Sequence, residues 1–139
     1  MATLLTSDAD ISRLLTATRT IALVGASPKP NRPSYGVMAA LQRAGYRVIP
    51  VNPAAAGQSI LGEKVRDSLA DIGEPIDMVD VFRRAEDTPE VARDAVAVGA
   101  KSLWLQLDIV SDAAARIALA GGLDVVMDRC TAVEVERMG

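Results

Sequence analysis

The stretch that decides the fold runs from Ile21 to Gly36 and reads IALVGASPKPNRPSYG. It predicts a buried strand that ends at a glycine, a basic loop stiffened by prolines, and a helix that starts at a serine. The N–H groups of a helix's first turn have no partner inside the helix, and the helix dipole adds partial positive charge there. Lys29 and Arg32 add full charges to the same loop. The stretch therefore favours a binding site for an anionic, phosphate-bearing ligand.

Outward from this stretch, apolar runs of strand length alternate with segments of helical periodicity. The predicted strands span residues 20–24, 47–51, 76–82, 102–107 and 123–127. The predicted helices begin near residues 8, 34, 68, 87, 112 and 131. Almost wholly apolar strands are typical of a parallel sheet that is covered on both faces. The pattern therefore predicts a three-layer α/β domain with a mostly parallel five-stranded sheet and right-handed crossovers.

Length and charge narrow the class of protein. With 139 residues, of which 50% are hydrophobic, the chain is expected to form a single domain over residues 1–139. A net charge of −3 argues against a sequence-independent grip on nucleic acid, which needs many cationic contacts to phosphates. The sequence shows neither an apolar run of about 18 residues nor a signal-peptide pattern in residues 1–10. We therefore expect a cytoplasmic protein that does not bind membranes, and no feature identifies a protein partner.

The chain contains no histidine and one cysteine, Cys130. The absence of histidine removes the commonest general acid or base and the commonest metal ligand. A single cysteine excludes an intrachain disulfide and a cysteine-rich zinc site. We predict no catalytic residue and no metal site, which favours a binding module over an enzyme. Cys130 is expected to be a buried, inert thiol, and the alternative is an enzyme that uses it for acyl or thiol exchange.

The fold class itself points to candidate site residues. In open parallel sheets, ligands bind outside the carboxyl ends of the strands. The residues just after the predicted strands are 25–34, 52–53, 82–84, 106–108 and 128–130. These positions also have a purely structural interpretation. Gly25 can permit a tight turn, Phe82 can belong to the core, and Arg83 can pair with nearby acids.

The residues at the end of the second predicted strand indicate which nucleotide a site there would bind. A NAD site usually places an acidic residue there to bind the ribose hydroxyl groups. This strand instead ends Val51-Asn52-Pro53. The sequence therefore argues against an ordinary NAD dehydrogenase, although a binding module for NAD or another nucleotide stays an alternative.

Six motifs together resemble the small stand-alone CoA-binding proteins, which are similar to the N-terminal CoA-binding domain of the succinyl-CoA synthetase alpha subunit. The motifs are VGASPKP at 24–30 with RPS at 32–34, YRVIPVNP at 46–53, LGEKV at 61–65, VDVFR at 79–83, WLQ at 104–106 and MDRC at 127–130. They stand in the order of the family and cover nearly the whole chain. The resemblance implies a Rossmann-like domain that binds coenzyme A or an acyl-CoA.

The same resemblance implies which residues contact the ligand. The loop and helix start would hold the pyrophosphate, the end of the second strand would border the adenosine, and the later strands would line the rest of the cleft. In chain order these residues are Gly25, Ala26, Ser27, Lys29, Arg32, Ser34, Tyr35, Val51, Asn52, Pro53, Phe82, Arg83, Leu105 and Gln106. Leu105 and Gln106 would lie along the pantetheine arm, and main-chain donors of residues 25–27 would meet the pyrophosphate.

Four positions depart from the family pattern. Ala54 stands where relatives often have a basic residue, which removes a possible partner for the 3′-phosphate. Asp108 replaces a usual glycine, and Ala132 and Val135 replace a lysine and a histidine. The synthetase also needs a domain with a phosphorylated histidine, and this chain contains no histidine. The resemblance therefore implies a binding protein and not a complete acyl-CoA ligase.

Overall fold

A parallel sheet forms the centre of the computed structural model, which describes residues 2–138. Its five strands within this range are β1 (Thr20–Val24), β2 (Arg47–Val51), β5 (Met78–Val81), β6 (Ser102–Leu105) and β7 (Asp124–Val126), and a small antiparallel hairpin comprises β3 (Ser59–Ile60) and β4 (Glu63–Lys64). The strand order is β2-β1-β5-β6-β7. The chain moves outward from β1 to β2 and then returns to the other side of β1 at β5. The strand order thus reverses between β1 and β5, where ligands bind in sheets of this kind.

Five α-helices cover the two faces of this sheet in the part of the chain that the structure describes. They are α1 (Asp8–Ala17), α2 (Pro33–Arg43), α3 (Thr88–Ala97), α4 (Asp112–Ala120) and α5 (Thr131–Arg137). The hydroxyl groups of Ser7 and Ser111 accept hydrogen bonds from the first turns of α1 and α4 and so cap these helices. Pro33 opens α2 at the first helical position, where its missing N–H costs nothing.

Two apolar cores fill the spaces between the layers. One core packs β-strand residues such as Val79 and Leu103 against α3 and α4. The other packs Leu23 and Trp104 against α1, α2 and α5. Both faces of the sheet are thus buried, which explains the nearly continuous apolar strands. The predicted Rossmann-like three-layer α/β fold is confirmed.

The neighbouring chain segments close both edges of the sheet. At one edge, Leu5 N–H donates to the carbonyl oxygen of Val125 at 2.8 Å, and Val125 N–H donates to Thr3 at 3.0 Å. At the other edge, Arg66 N–H donates to the carbonyl oxygen of Pro50 at 2.9 Å. Pro50 lies in the outer strand β2, where a residue without an N–H group is tolerated.

The predicted bounds of several elements differ from those observed. The predicted strands 76–82 and 102–107 extend beyond β5 and β6, because their last residues turn into the loops at the end of the sheet. The β3–β4 hairpin was not predicted, since strands of two residues are too short to show an alternating pattern. None of the helices within residues 2–138 has the length and apolar character needed to cross a membrane.

Candidate ligand-binding cleft

A cleft of about 960 Å³ opens at the carboxyl ends of the strands. This volume lies at the upper end of the roughly 300–1,000 Å³ range of ligand pockets. Its lining comes from the ends of all the strands of the main sheet and from the start of α2. The lining residues are Gly25, Ser27, Arg32, Pro33, Ser34, Val37, Asn52, Pro53, Ala54, Phe82, Arg83, Arg84, Gln106, Leu107, Asp108, Ile109 and Cys130. Most residues predicted to contact the ligand are among them.

Five of the predicted contact residues lie outside the lining of the cleft. The side chains of Ala26, Val51 and Leu105 are buried in the two cores. Tyr35 packs against the core beside α2, and Lys29 is exposed on the loop. Val37 and Ile109 line the cleft but were not among the predicted site residues. Val37 lies one helical turn after Ser34, so the periodicity of α2 was the signal for it.

Gly25 sits where two strand ends approach each other closely. Its φ is +90°, and a Cβ atom there would lie 2.4 Å from the carbonyl oxygen of Phe82. Only glycine adopts this conformation readily and leaves room for the neighbouring strand. Gly25 therefore permits the close approach of β1 and β5, and its contact with a ligand stays a prediction.

The main-chain N–H groups at the start of the loop already have partners. Gly25 N–H donates to the carbonyl oxygen of Val51 at 2.9 Å, and Ala26 N–H donates to the same oxygen at 3.4 Å. Ser27 N–H donates to Ser34 Oγ at 3.1 Å. The end of β2 and the start of α2 thus use these N–H groups in this structure, and their donation to a pyrophosphate stays a prediction. The Ser27 hydroxyl group accepts from Lys29 N–H at 3.2 Å and keeps its own hydrogen to donate.

Arginines supply positive charge to the cleft. Arg32 is exposed, and within residues 2–138 it makes no ion pair. The guanidinium group of Arg83 lies 3.6 Å from Asp87, and that of Arg84 lies 3.6 Å from Glu86 and 3.9 Å from Asp87. These pairs are long and solvent-exposed, so they contribute little stability. A phosphate group could replace the carboxylates at small cost.

Asn52 and Asp108 shape two loops at the rim of the cleft. Asn52 Nδ2 donates to the carbonyl oxygen of Ala26 at 2.8 Å, and its Oδ1 accepts from Ala54 N–H at 2.9 Å. It thereby joins the end of β2 to the loop after β1. Asp108 has a φ of +69°, and its N–H donates to Asp128 at 2.7 Å. A positive φ explains why glycine suits this position, and aspartate is one of the few other residues that tolerate it.

The arginines and the apolar side chains of the cleft follow different strands. The arginines follow β1 and β5, whereas Leu107, Ile109 and Cys130 follow β6 and β7, together with Asp108. Neighbouring strands are about 4.8 Å apart, so the ends of β2 and β7 lie roughly 19 Å from each other. The cleft therefore suits a long ligand with an anionic end and a less polar end.

Cys130 is half-buried and lines the end of this cleft near β7. The expectation of a buried thiol is therefore wrong, because one side of the residue faces the cleft. The guanidinium group of the adjacent Arg129 binds other groups and not the Cys130 thiol. The Arg129 guanidinium group donates to Asp8 at 2.8 Å, to Glu134 at 3.3 Å and to the carbonyl oxygen of Thr6 at 2.7 Å. These bonds hold the N-terminal segment against α5.

A buried polar cluster lies beneath the apolar end of the cleft. Gln106 Nε2 donates to Asp80 at 2.5 Å and to Thr131 Oγ1 at 2.8 Å, and the Thr131 hydroxyl group donates to Asp80 at 2.9 Å. Burial raises the pKa of Asp80 to about 7, although the hydrogen bonds from Gln106 and Thr131 oppose this shift. Asp80 and Thr131 were not among the predicted site residues, and the signal for them was an aspartate inside an apolar strand.

The pKa of Asp80 predicts a pH dependence of stability. Its carboxyl group has a higher pKa in the folded chain, about 7, than the ordinary value of 3.8. The folded state therefore binds more protons than the unfolded state between these values, so stability decreases as pH rises from about 4 to about 7 and then levels off. Asp80→Asn has nearly the same shape and does not titrate. We expect the free energy of unfolding of wild type minus that of Asp80→Asn to decrease over this range.

Urea-induced unfolding at pH 4.5, 6, 7 and 8.5 measures this difference. The carboxylates whose pKa values are lowered, such as Asp8 and Glu74, are present in both proteins and cancel. A difference that stays constant across the range, or that increases with pH, would contradict the raised pKa of Asp80.

Comparisons with known proteins agree with this architecture. The model of a family described as CoA binding domain matches residues 19–136. The uncharacterized protein YneT of Bacillus subtilis (strain 168) is 41% identical over 127 residues, which are 91% of this chain and 93% of that protein. A solved structure of a hypothetical protein from Pyrococcus horikoshii OT3 is 41% identical with a TM-score of 0.91, covering 96% of this chain and 94% of that one. Cell-free ID.343 from Thermus thermophilus is 35% identical, also with a TM-score of 0.91, over 96% of this chain and 100% of that chain.

The resemblance that the sequence motifs indicate is thus confirmed. The matched region includes the loop after β1, the arginines after β5 and the cluster around Gln106. Because the family model matches most of the chain and relatives of similar length share its fold, this chain belongs to the CoA-binding domain family.

Proposed function

We propose that this chain binds coenzyme A or an acyl-CoA without catalysing a reaction. One observation carries the proposal: the same cleft is lined by arginines after β1 and β5 and by the apolar Leu107 and Ile109 after β6. Coenzyme A has the same two-part character, with phosphates on the nucleotide and a long, less polar pantetheine arm that ends in a thiol. Membership of the CoA-binding domain family supports the same ligand.

The residues present fit the nucleotide part of this ligand. Arg32, Arg83 and Arg84 offer cationic donors to the phosphates, and guanidinium groups suit phosphate oxygens because they can donate two parallel hydrogen bonds. The Ser27 hydroxyl group is a further donor beside Arg32. Ala54 adds no charge to the rim, so the same three arginines are the cations of this cleft that can also meet the 3′-phosphate.

The structure supports coenzyme A over NAD at the end of β2. Asn52 occupies the place of the acidic residue that a NAD site usually uses. Both ends of its side chain are engaged with Ala26 and Ala54, so it is not free to bind a ribose diol.

The structure also favours simple binding over exchange chemistry at Cys130. A reactive thiol needs a nearby cation or a base. Arg129, the adjacent cation, donates to groups of the N-terminal segment and α5. The chain contains no histidine to act as a base.

Isothermal titration calorimetry with coenzyme A, dephospho-coenzyme A and NAD tests the proposal. We expect saturable binding of coenzyme A and weaker binding of dephospho-coenzyme A, because the latter lacks one phosphate for the arginines. NAD should neither bind nor compete at the same concentration. The absence of heat with both CoA compounds at high micromolar concentration would refute the proposal, and tighter binding of NAD would assign the cleft to another nucleotide.

A further inference from the structure

We propose that Asp80 and Thr131 are positioning residues that hold the Gln106 carboxamide with its oxygen toward the cleft, where it accepts a hydrogen bond from an amide N–H of the ligand's arm. This inference rests on the proposed function, since the pantetheine arm of coenzyme A contains two amide groups. It identifies a contact that selects a ligand with an amide-containing arm over a bare nucleotide.

The strands place these residues on one face of the sheet. Asp80 of β5 pairs in register with Trp104 of β6, and Gln106 follows Trp104 by two residues. Side chains two residues apart point to the same face, so Asp80 and Gln106 both lie on the side covered by α5. Thr131, the first residue of α5, completes a closed triangle of hydrogen bonds with them.

The orientation of the Gln106 carboxamide follows from this triangle. An ionised carboxylate only accepts hydrogen bonds, so the amino end of Gln106 must face Asp80. Nε2 uses both of its hydrogens there, at 2.5 Å to Asp80 and 2.8 Å to Thr131. Oε1 therefore points away from the cluster.

The carboxamide oxygen is the part of Gln106 that the cleft can reach. The residue is 3% exposed and lines the cleft. Its side-chain hydrogen bonds within residues 2–138 all use Nε2, and in that range every buried side-chain nitrogen or oxygen has a partner. Oε1, which accepts no hydrogen bond, must therefore be the accessible atom. An acceptor beside the apolar Leu107 and Ile109 gains most from a ligand that donates to it.

Protonation of Asp80 does not by itself turn the carboxamide. A protonated carboxyl group keeps one oxygen that accepts from Gln106 Nε2, and it can donate its proton to Thr131 Oγ1, because the two residues bind different oxygens of Asp80. The orientation of Gln106 thus needs an acceptor oxygen at residue 80, and the amide oxygen of Asp80→Asn also supplies one.

Other charged groups around this face do not compete for the carboxyl group of Asp80. Its neighbours in register, Leu23 and Trp104, are apolar. The titratable side chains that pack against the core on this side are Tyr35 and Tyr46, and Cys130 lines the cleft beside it. The charged groups in and before α5 include three that pair with one another or with α1: Arg129 pairs with Asp8 and Glu134, and Arg137 pairs with Glu134. Burial and hydrogen bonds, with no charged side chain, set the pKa of Asp80.

Calorimetry with two ligands at pH 8.5 tests the inference, because the phosphates of both ligands are fully ionised there. Coenzyme A is compared with adenosine 3′-phosphate 5′-diphosphate, which lacks the arm. We expect Gln106→Leu to lower the ratio of the two affinities about five- to tenfold, the effect of one hydrogen bond. Thr131→Val, which removes one member of the triangle, should also lower the ratio. Asp80→Asn should keep the high ratio, because the amide oxygen that this substitution introduces accepts from Gln106.

The outcomes separate this inference from the proposed function. If wild type binds coenzyme A but Gln106→Leu leaves the ratio unchanged, or if Asp80→Asn lowers the ratio as much as Gln106→Leu does, the inference is overturned and the proposed function stands. If wild type does not bind coenzyme A, both are overturned. Thermal unfolding of each variant at pH 8.5 checks the fold. Should Asp80→Asn not fold, Thr131→Val is expected to lower the ratio, and an unchanged ratio overturns the inference.

Discussion

Gly25→Ala is expected to lower the free energy of unfolding by about 3 kcal/mol and to abolish ligand binding. The new Cβ atom would lie 2.4 Å from the carbonyl oxygen of Phe82 and 3.0 Å from its carbonyl carbon, at a φ of +90°. The main chain cannot shift easily at either Gly25 or Phe82. Phe82 N–H donates to Val24 at 2.8 Å, and Gly25 N–H donates to Val51 at 2.9 Å, so a shift breaks the sheet at the mouth of the cleft. Urea-induced unfolding and calorimetry with coenzyme A measure the two effects.

Two other glycines provide matched controls. Gly45 has a φ of +99°, but a Cβ atom there meets nothing within 4 Å, so Gly45→Ala should show the backbone strain alone, about 1 kcal/mol. Gly36 lies in α2 without a positive φ and with open space around it, so Gly36→Ala should stabilise the chain by about 0.5 to 1 kcal/mol. If Gly25→Ala costs no more than Gly45→Ala, the close approach to Phe82 is not what requires glycine.

Removing arginines from the cleft is expected to weaken ligand binding strongly. Arg32→Ala and Arg83→Ala should each weaken the binding of coenzyme A by about ten- to a hundredfold, because a hydrogen bond to a charged group contributes roughly 1.5 to 3 kcal/mol. Arg83 must first leave Asp87, at 3.6 Å, so its net effect should be the smaller of the two. Calorimetry at low and at moderate salt measures both variants.

This prediction requires that the cleft arginines act by contacting the ligand, and not through the net charge of the chain. Arg93 is exposed on α3, outside the cleft, and Arg93→Ala changes the net charge by the same amount. It should leave the affinity nearly unchanged. An equal loss for Arg93→Ala and Arg32→Ala would show that net charge, and not the cleft, attracts the ligand. Unchanged binding in the double variant of Arg32 and Arg83 would place the phosphates elsewhere.

The main elements of the fold could be predicted because the strands are buried on both faces. Runs such as residues 20–24 and 47–51 are apolar throughout most of their length, and the observed β1 and β2 have the same bounds. The ends of β5 and β6 could not be placed, since Phe82 and Leu107 are apolar but already belong to loops. Hydrophobicity indicates which residues are buried. The end of a strand depends instead on where its hydrogen bonds to the neighbouring strand stop.

The location of the site followed from the same topology, but its hydrogen bonds did not. Residues after each strand meet at one edge of the sheet, which is why Arg32, Asn52 and Gln106 could be grouped in advance. The partner of Gly25 N–H is Val51, and the partner of Asp80 is Thr131. Such pairs are distant in sequence, and no local pattern indicates which donor meets which acceptor.

The covered edges of the sheet have a consequence for association. An open outer strand offers a row of unpaired main-chain groups to which a second chain can add. Here the segment before α1 pairs with Val125, and Arg66 pairs with the outer side of β2, where Pro50 already lacks an N–H group. Growth of the sheet from one copy into another, the route to fibrous aggregates, would require these flanking segments to detach first.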